Sequence, residues 1–173
     1  AEERPWVGYD HEWLYAYVPG ETYYLPQAVR SHLATIGRSP VAGRPAGTFA
    51  RDIYERLLVD LSWASSRLEG NTYSRLDTEL LLEFGQRADG KDATEAQMIL
   101  NHKAAIDLLV SLGPELRVSE QLLRGLHARL AENLMRHKAH EGQLRRGEVG
   151  ITNSKYYPTA VPQLITDCFA RIA

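Results

Sequence analysis

The sequence predicts a mainly α protein, a helical domain with a short β-hairpin and an aromatic N-terminal arm. Apolar residues recur at three- and four-residue spacing over most of the chain after residue 48, which is the period of a helix face. Ser or Asp residues precede several of these stretches and Gly residues follow them, as at the two ends of helices. The connections are short, which favours helices that pack on their neighbours in the chain.

Composition narrows the classes of protein. At 173 residues with 44% hydrophobic content, the chain can bury a sizeable core. Its formal net charge of -2 does not indicate nucleic acid or an anionic membrane as a partner. The single Cys168 cannot form an internal disulfide, which favours a reducing compartment. There is no apolar run of roughly 18 residues and no secretory signal pattern, so we expect a cytoplasmic protein without a membrane partner.

Residues 1–47 are predicted to form the aromatic arm and a linker. Alternation in Trp13–Val18 and in Thr22–Leu25, around a Pro-Gly pair, permits a short hairpin. Helical spacing predicts a helix over Gln27–Ile36, and residues 37–47 are predicted to be linker. The aromatic side chains are expected to pack the arm onto the helical body, because tyrosine combines an apolar ring with a polar tip.

A long amphipathic helix is predicted to begin near Phe49. Its apolar residues have the spacing of one buried face and are Ile53, Leu57, Leu61, Ala64 and Leu68. Ser65 and Glu69 are four residues apart, so they are neighbours at the flank of this stripe. Gly70 and Asn71 are residue types that end a helix in the left-handed conformation. Glu69 would lie at the negative end of the helix dipole and is therefore expected to have a cationic partner.

Three further helices are predicted from their start signals, and a fourth is predicted from its apolar spacing. Ser74–Asp77 resembles a capping box, with Asp in place of Glu, and opens a helix that ends near Gly85. Asp92–Glu95 repeats the signal, and Ser119 can cap the next helix. A last helix is predicted over Val161–Ala173, and because no cap signal follows it, the chain is expected to be a fragment.

A basic loop and β-forming residues separate the last two helices. Arg136–Gly147 is polar, and Glu148–Tyr157 is predicted to form two short strands around residues 152–155. Basic and aromatic side chains that could contact nucleic acid are Arg136, Lys138, Arg145, Arg146, Tyr156 and Tyr157. Glu141 and Glu148 dilute this patch, so a solvated loop is the favoured interpretation.

Spacing alone predicts no catalytic or metal site. His137 and His140 are three residues apart in a loop, without an H-E-x-x-H pattern or a Cys partner. His102 and His127 lie within predicted helices and are expected to be partly buried polar residues. Cys168 is expected to be a small core residue.

A resemblance adds a function to this picture. Residues 65–70, SSRLEG, match (S/T)xxxE(G/N), the signature of the inhibitory helix of Fic proteins. The flanking LSWASSRLEGNTYS and EAQMILNHKAAIDLL resemble bacterial Fic proteins that carry this helix before the catalytic domain. GQLRRGEVGI, followed by Tyr157-Pro158, resembles the Fic flap hairpin. The resemblance implies an incomplete Fic-like helical domain over residues 48–173, with the inhibitory helix at about 49–70 and the flap at about 148–158.

Fic proteins typically transfer AMP from ATP to a Ser, Thr or Tyr hydroxyl of a target protein, with Mg²⁺. The resemblance implies that Glu69 pairs with an arginine of the catalytic signature and blocks productive seating of the ATP γ-phosphate. Ser65 would fix the helix, and Gly70 would permit its tight exit. The flap residues would align the target by strand addition and are Val149, Gly150, Ile151, Thr152 and Asn153.

The catalytic signature of the family, HxFx(D/E)GNGRxxR, does not occur in this sequence. The resemblance therefore implies the regulatory and target-docking part of an autoinhibited enzyme, with ATP and Mg²⁺ bound by the complete protein and not by this chain alone. The alternative is a non-catalytic helical module that binds a partner protein or nucleic acid through the basic loop and hairpin. The target protein, a homo-oligomeric state and the group transferred stay open.

Overall fold

The computed structural model describes residues 5–18, 20–38 and 46–172 of the chain, and the described residues are mainly helical, as predicted. The elements in chain order are β1 Val7–Gly8, α1 His11–Ala16, α2 Gln27–Ile36, α3 Ala46–Leu68, α4 Arg75–Phe84, α5 Ala93–Leu112, α6 Glu120–Ala131, β2 Tyr156–Tyr157 and α7 Pro162–Ile172. They belong to two compact units. One comprises Arg44–Gln143, and the other combines Ala1–Gly43 with Leu144–Ile172.

The unit Arg44–Gln143 is built around α5, which packs against both α3 and α6, while α4 packs against α3. Its core is formed by Tyr73, Leu81, Ala96 and Ile99, all of which are buried. Ala96 and Ile99 belong to α5, so the central helix supplies the apolar surface on which the unit is assembled.

The buried face of α3 differs from the predicted one. The helix buries Val59, Ser62 and Ser66, whereas Leu57, Leu61 and Leu68 are 40%, 46% and 89% exposed. The prediction that this apolar stripe is the buried face of α3 is therefore wrong. Because serine side chains are short, they allow the neighbouring helix to approach closely, and this packing selects a face that apolar spacing does not reveal.

The predicted helix start signals are confirmed. Ser74 and Asp77 form a reciprocal capping box at the start of α4. The Asp92 carboxylate accepts the Thr94 N–H at 2.9 Å, and the Ser119 hydroxyl accepts an N–H at the start of α6. Each signal needs only residues within one turn, which is why sequence reasoning finds it.

The unit that includes the N-terminus departs from the prediction of a hairpin in the arm. The segment predicted to start a hairpin at Trp13 instead forms α1, which begins with Asp10 accepting the Trp13 N–H at 3.2 Å. The helix predicted over Gln27–Ile36 is confirmed as α2. Of the predicted linker, residues 39–45 lie outside the described residues.

The prediction of a flap hairpin over about 148–158 is wrong, because this segment does not form two strands that pair with each other. Residues 149–151 form no strand, and β2 pairs in parallel with β1, with Val7 opposite Tyr156. Trp6 stacks on Tyr157 with ring centroids 4.8 Å apart, which supports this pairing. Glycines at 147 and 150 weaken the predicted first strand, and a partner distant in sequence replaces it.

The division of the chain also differs from the predicted one. The sequence predicts an arm over residues 1–47 and one helical domain over 48–173, but the segment Leu144–Ile172 belongs with the arm. Arg171 shows this directly, because its guanidinium donates to the Leu14 and Tyr15 carbonyl oxygens at 3.4 Å and 2.8 Å. Within the described part of the chain, no helix combines the length and the apolar character needed to cross a membrane.

Candidate regulatory site at the end of helix α3

The end of α3 has the left-handed exit that the sequence predicts. The N–H of Asn71 donates to the Ser66 carbonyl at 3.0 Å, and the N–H of Gly70 donates to the Arg67 carbonyl at 3.1 Å. Gly70 has a φ of 94°. These two bonds and this φ define a Schellman motif, which needs a residue without a Cβ at its left-handed position.

Glu69 lies directly after the last residue of α3, and its side chain is exposed. Among the described side chains, none forms a hydrogen bond or ion pair with its carboxylate, so the expected cationic partner is not found there. The nearby Arg67 guanidinium lies over the Trp63 ring, 5.6 Å from its centroid. Ser65, one turn earlier on the helix, is half-buried.

Asn71 joins this helix end to α5. Its side chain is nearly fully buried, and its Nδ2 donates to the Glu95 backbone carbonyl at 2.7 Å. Its Oδ1 accepts the N–H of Tyr73 at 2.9 Å. A buried amide with both ends bonded is held in one orientation, because either bond would cost free energy to lose.

Thr72 forms a second connection to α5. Its N–H donates to Glu95 Oε2 at 3.2 Å, and its hydroxyl donates to the same oxygen at 2.8 Å. The ammonium of Lys91 donates to the Thr72 hydroxyl at 2.8 Å and to its carbonyl at 3.0 Å. The hydroxyl thus acts as donor to a carboxylate and acceptor from a cation, and such charge-assisted bonds are stronger than neutral ones.

Tyr73 completes the attachment. It is 1% exposed and belongs to the apolar core. Its carbonyl accepts the Trp63 indole N–H at 3.1 Å, and its phenol oxygen accepts the Ala88 N–H at 3.3 Å. Residues 71–73 are therefore fastened to α3, to α5 and to the loop before α5.

The predicted site residues are divided between the two units. Val149 and Ile151 are exposed, as are Thr152 and Asn153. The N–H of Ser154 donates to the Ile151 carbonyl at 3.0 Å, which closes a turn at the predicted place. These residues belong to the unit that contains the N-terminus, whereas Ser65, Glu69 and Gly70 belong to the other unit.

The basic loop is divided between the two units. Arg136 and Lys138 belong to one and Arg145 and Arg146 to the other. Arg145 donates to the backbone carbonyls of Gly147 and Thr159, so its guanidinium holds its own loop together. Arg136, Lys138 and Arg146 are exposed.

The two histidines that the sequence places within helices have main-chain hydrogen-bonding partners. His102 is half-buried as expected, with Nδ1 2.9 Å from the Met98 carbonyl. His127 is exposed, contrary to expectation, and its Nδ1 accepts the Gly142 N–H at 2.9 Å. Among the described residues, no three His, Cys, Asp or Glu side chains lie together so that they could hold a metal ion.

Cys168 is 5% exposed, as expected of a small core residue. Burial, and then the neighbouring Cys168, raises the pKa of the Tyr9 phenol above its ordinary value.

Sequence reasoning missed two residues that organise the helical unit. Asn101 is 2% exposed, and its Nδ2 donates to the Leu130 and Glu132 carbonyls at 3.1 Å and 2.8 Å. Glu95 is predicted only as part of a helix start signal. An Asn in the middle of a largely apolar helix is a signal that could have revealed Asn101, because such a residue needs partners when buried.

Comparisons with protein-family models, with curated proteins and with solved structures found no match to this chain.

Proposed function

We propose that this chain is the regulatory and target-docking part of an autoinhibited Fic-type protein adenylyltransferase, which moves AMP from ATP to a Ser, Thr or Tyr hydroxyl of a target protein. The proposal rests on one observation, the position and exposure of Glu69. It belongs to the signature (S/T)xxxE(G/N), it follows the last turn of a firmly attached helix, and its carboxylate is exposed. A charged group held in this way can act on a partner outside the chain.

Inhibition would act through charge pairing. Glu69 would accept hydrogen bonds from an arginine of the catalytic signature and so prevent that arginine from seating the ATP γ-phosphate. An arginine and a carboxylate pair directionally, often through two parallel bonds, so a small displacement of Glu69 would weaken the block. Gly70 serves this arrangement because its φ of 94° turns the chain sharply behind Glu69.

Target docking would use residues 149–153. Val149 and Ile151 are exposed, and among the described residues this segment has no strand partner. The main-chain N–H and C=O groups of Val149 and Gly150 would receive an extended peptide by strand addition. The turn that the Ser154 N–H closes on the Ile151 carbonyl would end this edge and so set the register of the acceptor hydroxyl.

The second candidate is a non-catalytic helical module that binds a partner protein or nucleic acid. The exposed side chains of Arg136, Lys138 and Arg146 support it. The two candidates differ in what the coding sequence specifies, because the enzyme requires a GNGR-containing helix in the complete protein.

The test replaces Glu69 in the complete protein. We expect Glu69→Gly to raise transfer of label from α-labelled ATP to protein by about tenfold or more, since losing one charged hydrogen-bonded contact costs at least about 1.5 kcal/mol. Glu132→Gly is the matched control, because Glu132 is an exposed carboxylate directly after the end of α6. Its labelling should equal that of the unmodified protein.

Two outcomes would contradict the proposal. One is unchanged labelling in Glu69→Gly when the protein is folded and binds ATP. The other is a coding sequence that contains no GNGR helix, together with an intact mass equal to the 19.5 kDa of this chain. The first result would remove the inhibitory role of Glu69, and the second would favour the interaction module.

A further inference from the structure

We infer that Glu95 is a positioning residue for Glu69, and that together with Lys91 it holds the exit of α3 in the orientation that inhibition needs. This inference rests on the proposed function, because it concerns the regulation of the same site. We use the name exit clamp for the set of Asn71, Thr72, Lys91 and Glu95.

The exit clamp acts on the backbone immediately behind Glu69. Glu95 contributes its carboxylate to the Thr72 N–H and hydroxyl, and its backbone carbonyl to the Asn71 side chain. Asn71 is two residues from Glu69, so the clamp fixes the chain within about 7 Å of it along the backbone. The intervening Gly70 is the residue with the greatest backbone freedom, and a clamp on its far side limits that freedom.

The Glu95 side chain bonds to the exit of α3 and not to the cap of its own helix. Glu95 lies three residues after Asp92, where a glutamate commonly turns back to the N–H of the helix cap. Asp92 already accepts the Thr94 N–H, and the Glu95 carboxylate is instead directed to Thr72. The residue therefore contributes to the exit of α3 and not to the capping box of its own helix.

Lys91 adds a positive charge to the exit clamp, opposite the negative charge of Glu95. Its ammonium donates to the Thr72 hydroxyl at 2.8 Å, while that hydroxyl donates to Glu95. Thr72 thus lies between a cation from the loop just before α5 and an anion from the first turn of α5. Without these bonds, the last turn of α3 would open more often, as helix ends do when they lack partners. Glu69 would then pair less accurately with its arginine.

The first measurement uses AMP transfer by the complete protein. We expect Glu95→Ala and Thr72→Val each to raise basal transfer by about threefold to tenfold, since each removes a charge-assisted hydrogen bond. Thr72→Ser keeps the hydroxyl and should stay at the unmodified level. Asp107→Ala is the matched control, because it also removes a carboxylate from α5, one that pairs with Lys103 within the helix.

Two further readouts separate positioning from general destabilisation. In the double variant Glu69→Gly/Glu95→Ala, transfer should not exceed that of Glu69→Gly alone, because the clamp acts through Glu69. In this chain alone, hydrogen exchange at the Asn71 and Thr72 amides should become about tenfold faster in Glu95→Ala, while the amides of α6 keep their rates. Leu81→Val, which weakens the core, should not raise transfer.

The outcomes distinguish this inference from the proposed function. Unchanged transfer in Glu69→Gly overturns both. Raised transfer in Glu69→Gly with unchanged transfer in Thr72→Val and Glu95→Ala overturns the clamp alone. The clamp is also overturned if Thr72→Ser raises transfer as much as Thr72→Val, or if the effects of Glu69→Gly and Glu95→Ala add in the double variant.

Discussion

At the scale of single residues, buried polar side chains define how the helices of the Arg44–Gln143 unit meet. Asn71 bonds the exit of α3 to α5, and Asn101 bonds the middle of α5 to the end of α6. Asn101 satisfies carbonyl groups at the C-terminal end of α6, where the helix itself supplies no donor, whereas Asn71 bonds a carbonyl in the first turn of α5. Directional contacts of this kind select one arrangement among several that would bury similar apolar area.

The capping carboxylate Asp77 gives a prediction about pH. The Ser74 hydroxyl, and then the Ser74 backbone N–H, hold the pKa of Asp77 below its ordinary value of 3.8. A lowered pKa in the folded state means that ionised Asp77 stabilises the fold above about pH 4, and that this contribution is lost as the pH falls through the folded pKa. The Asp92 pKa is lowered in the same direction, by the Thr94 N–H.

We therefore expect the urea midpoint to fall between about pH 7 and about pH 3, and to fall less in Asp77→Asn than in the unmodified chain. Asp107→Asn is the control, because burial raises the pKa of Asp107 and gives its ionised form the opposite effect. An unchanged pH dependence in Asp77→Asn would show that the capping box does not contribute to acid sensitivity.

At the scale of elements, α3 has two distinct faces. One carries the small buried residues Ser62 and Ser66, and the helix packs against α5 and α4. The other carries the exposed leucines 57, 61 and 68, which form the more apolar stripe. Exposed apolar stripes of this length are typical of surfaces that bind another protein segment.

This arrangement predicts a contrast between two substitutions in this chain. Leu61→Ala should change the free energy of unfolding by no more than about 0.5 kcal/mol, because Leu61 is 46% exposed. Ile99→Ala should lower it by about 2–5 kcal/mol, because Ile99 is fully buried in the core. Urea unfolding of both variants provides the measurement. Equal losses would mean that the leucine face is buried in solution.

At the scale of the whole molecule, the two units differ in how the chain forms them. Arg44–Gln143 is continuous in sequence, whereas the other unit needs both ends of the chain. The strands Val7–Gly8 and Tyr156–Tyr157 show the second requirement, because each has the other as its partner. Contacts between distant segments close large loops and therefore carry a higher entropic cost.

We expect a fragment of residues 44–143 to fold without the rest of the chain and to keep the four helices α3–α6. Its helical circular dichroism and a cooperative urea transition would check this. A fragment of residues 1–43 should lose the stacking of Trp6 on Tyr157, since that partner is missing, and it serves as the contrast. A non-cooperative transition in the 44–143 fragment would show that its core depends on the other unit.

Much of the candidate site could be predicted because its signals are local. The left-handed exit at Gly70 and the capping box at Ser74 each follow from residues within one or two turns. The role of Glu69 rests on the resemblance and stays a prediction. The clamp at Thr72 and Glu95 was not predicted, because nothing in the spacing of two polar residues on different elements indicates that they meet.

The mainly helical character of the chain, the starts of most helices and the residues that end α3 all follow from sequence signals alone. The buried face of α3, the strand that pairs with Tyr156–Tyr157 and the unit shared by the two ends of the chain emerge only from the folded structure. The physical reason is the sequence separation between the residues whose contacts determine each feature. Caps and turns are determined by hydrogen bonds within a few residues, whereas faces and strand partners depend on close packing between segments that are distant in sequence.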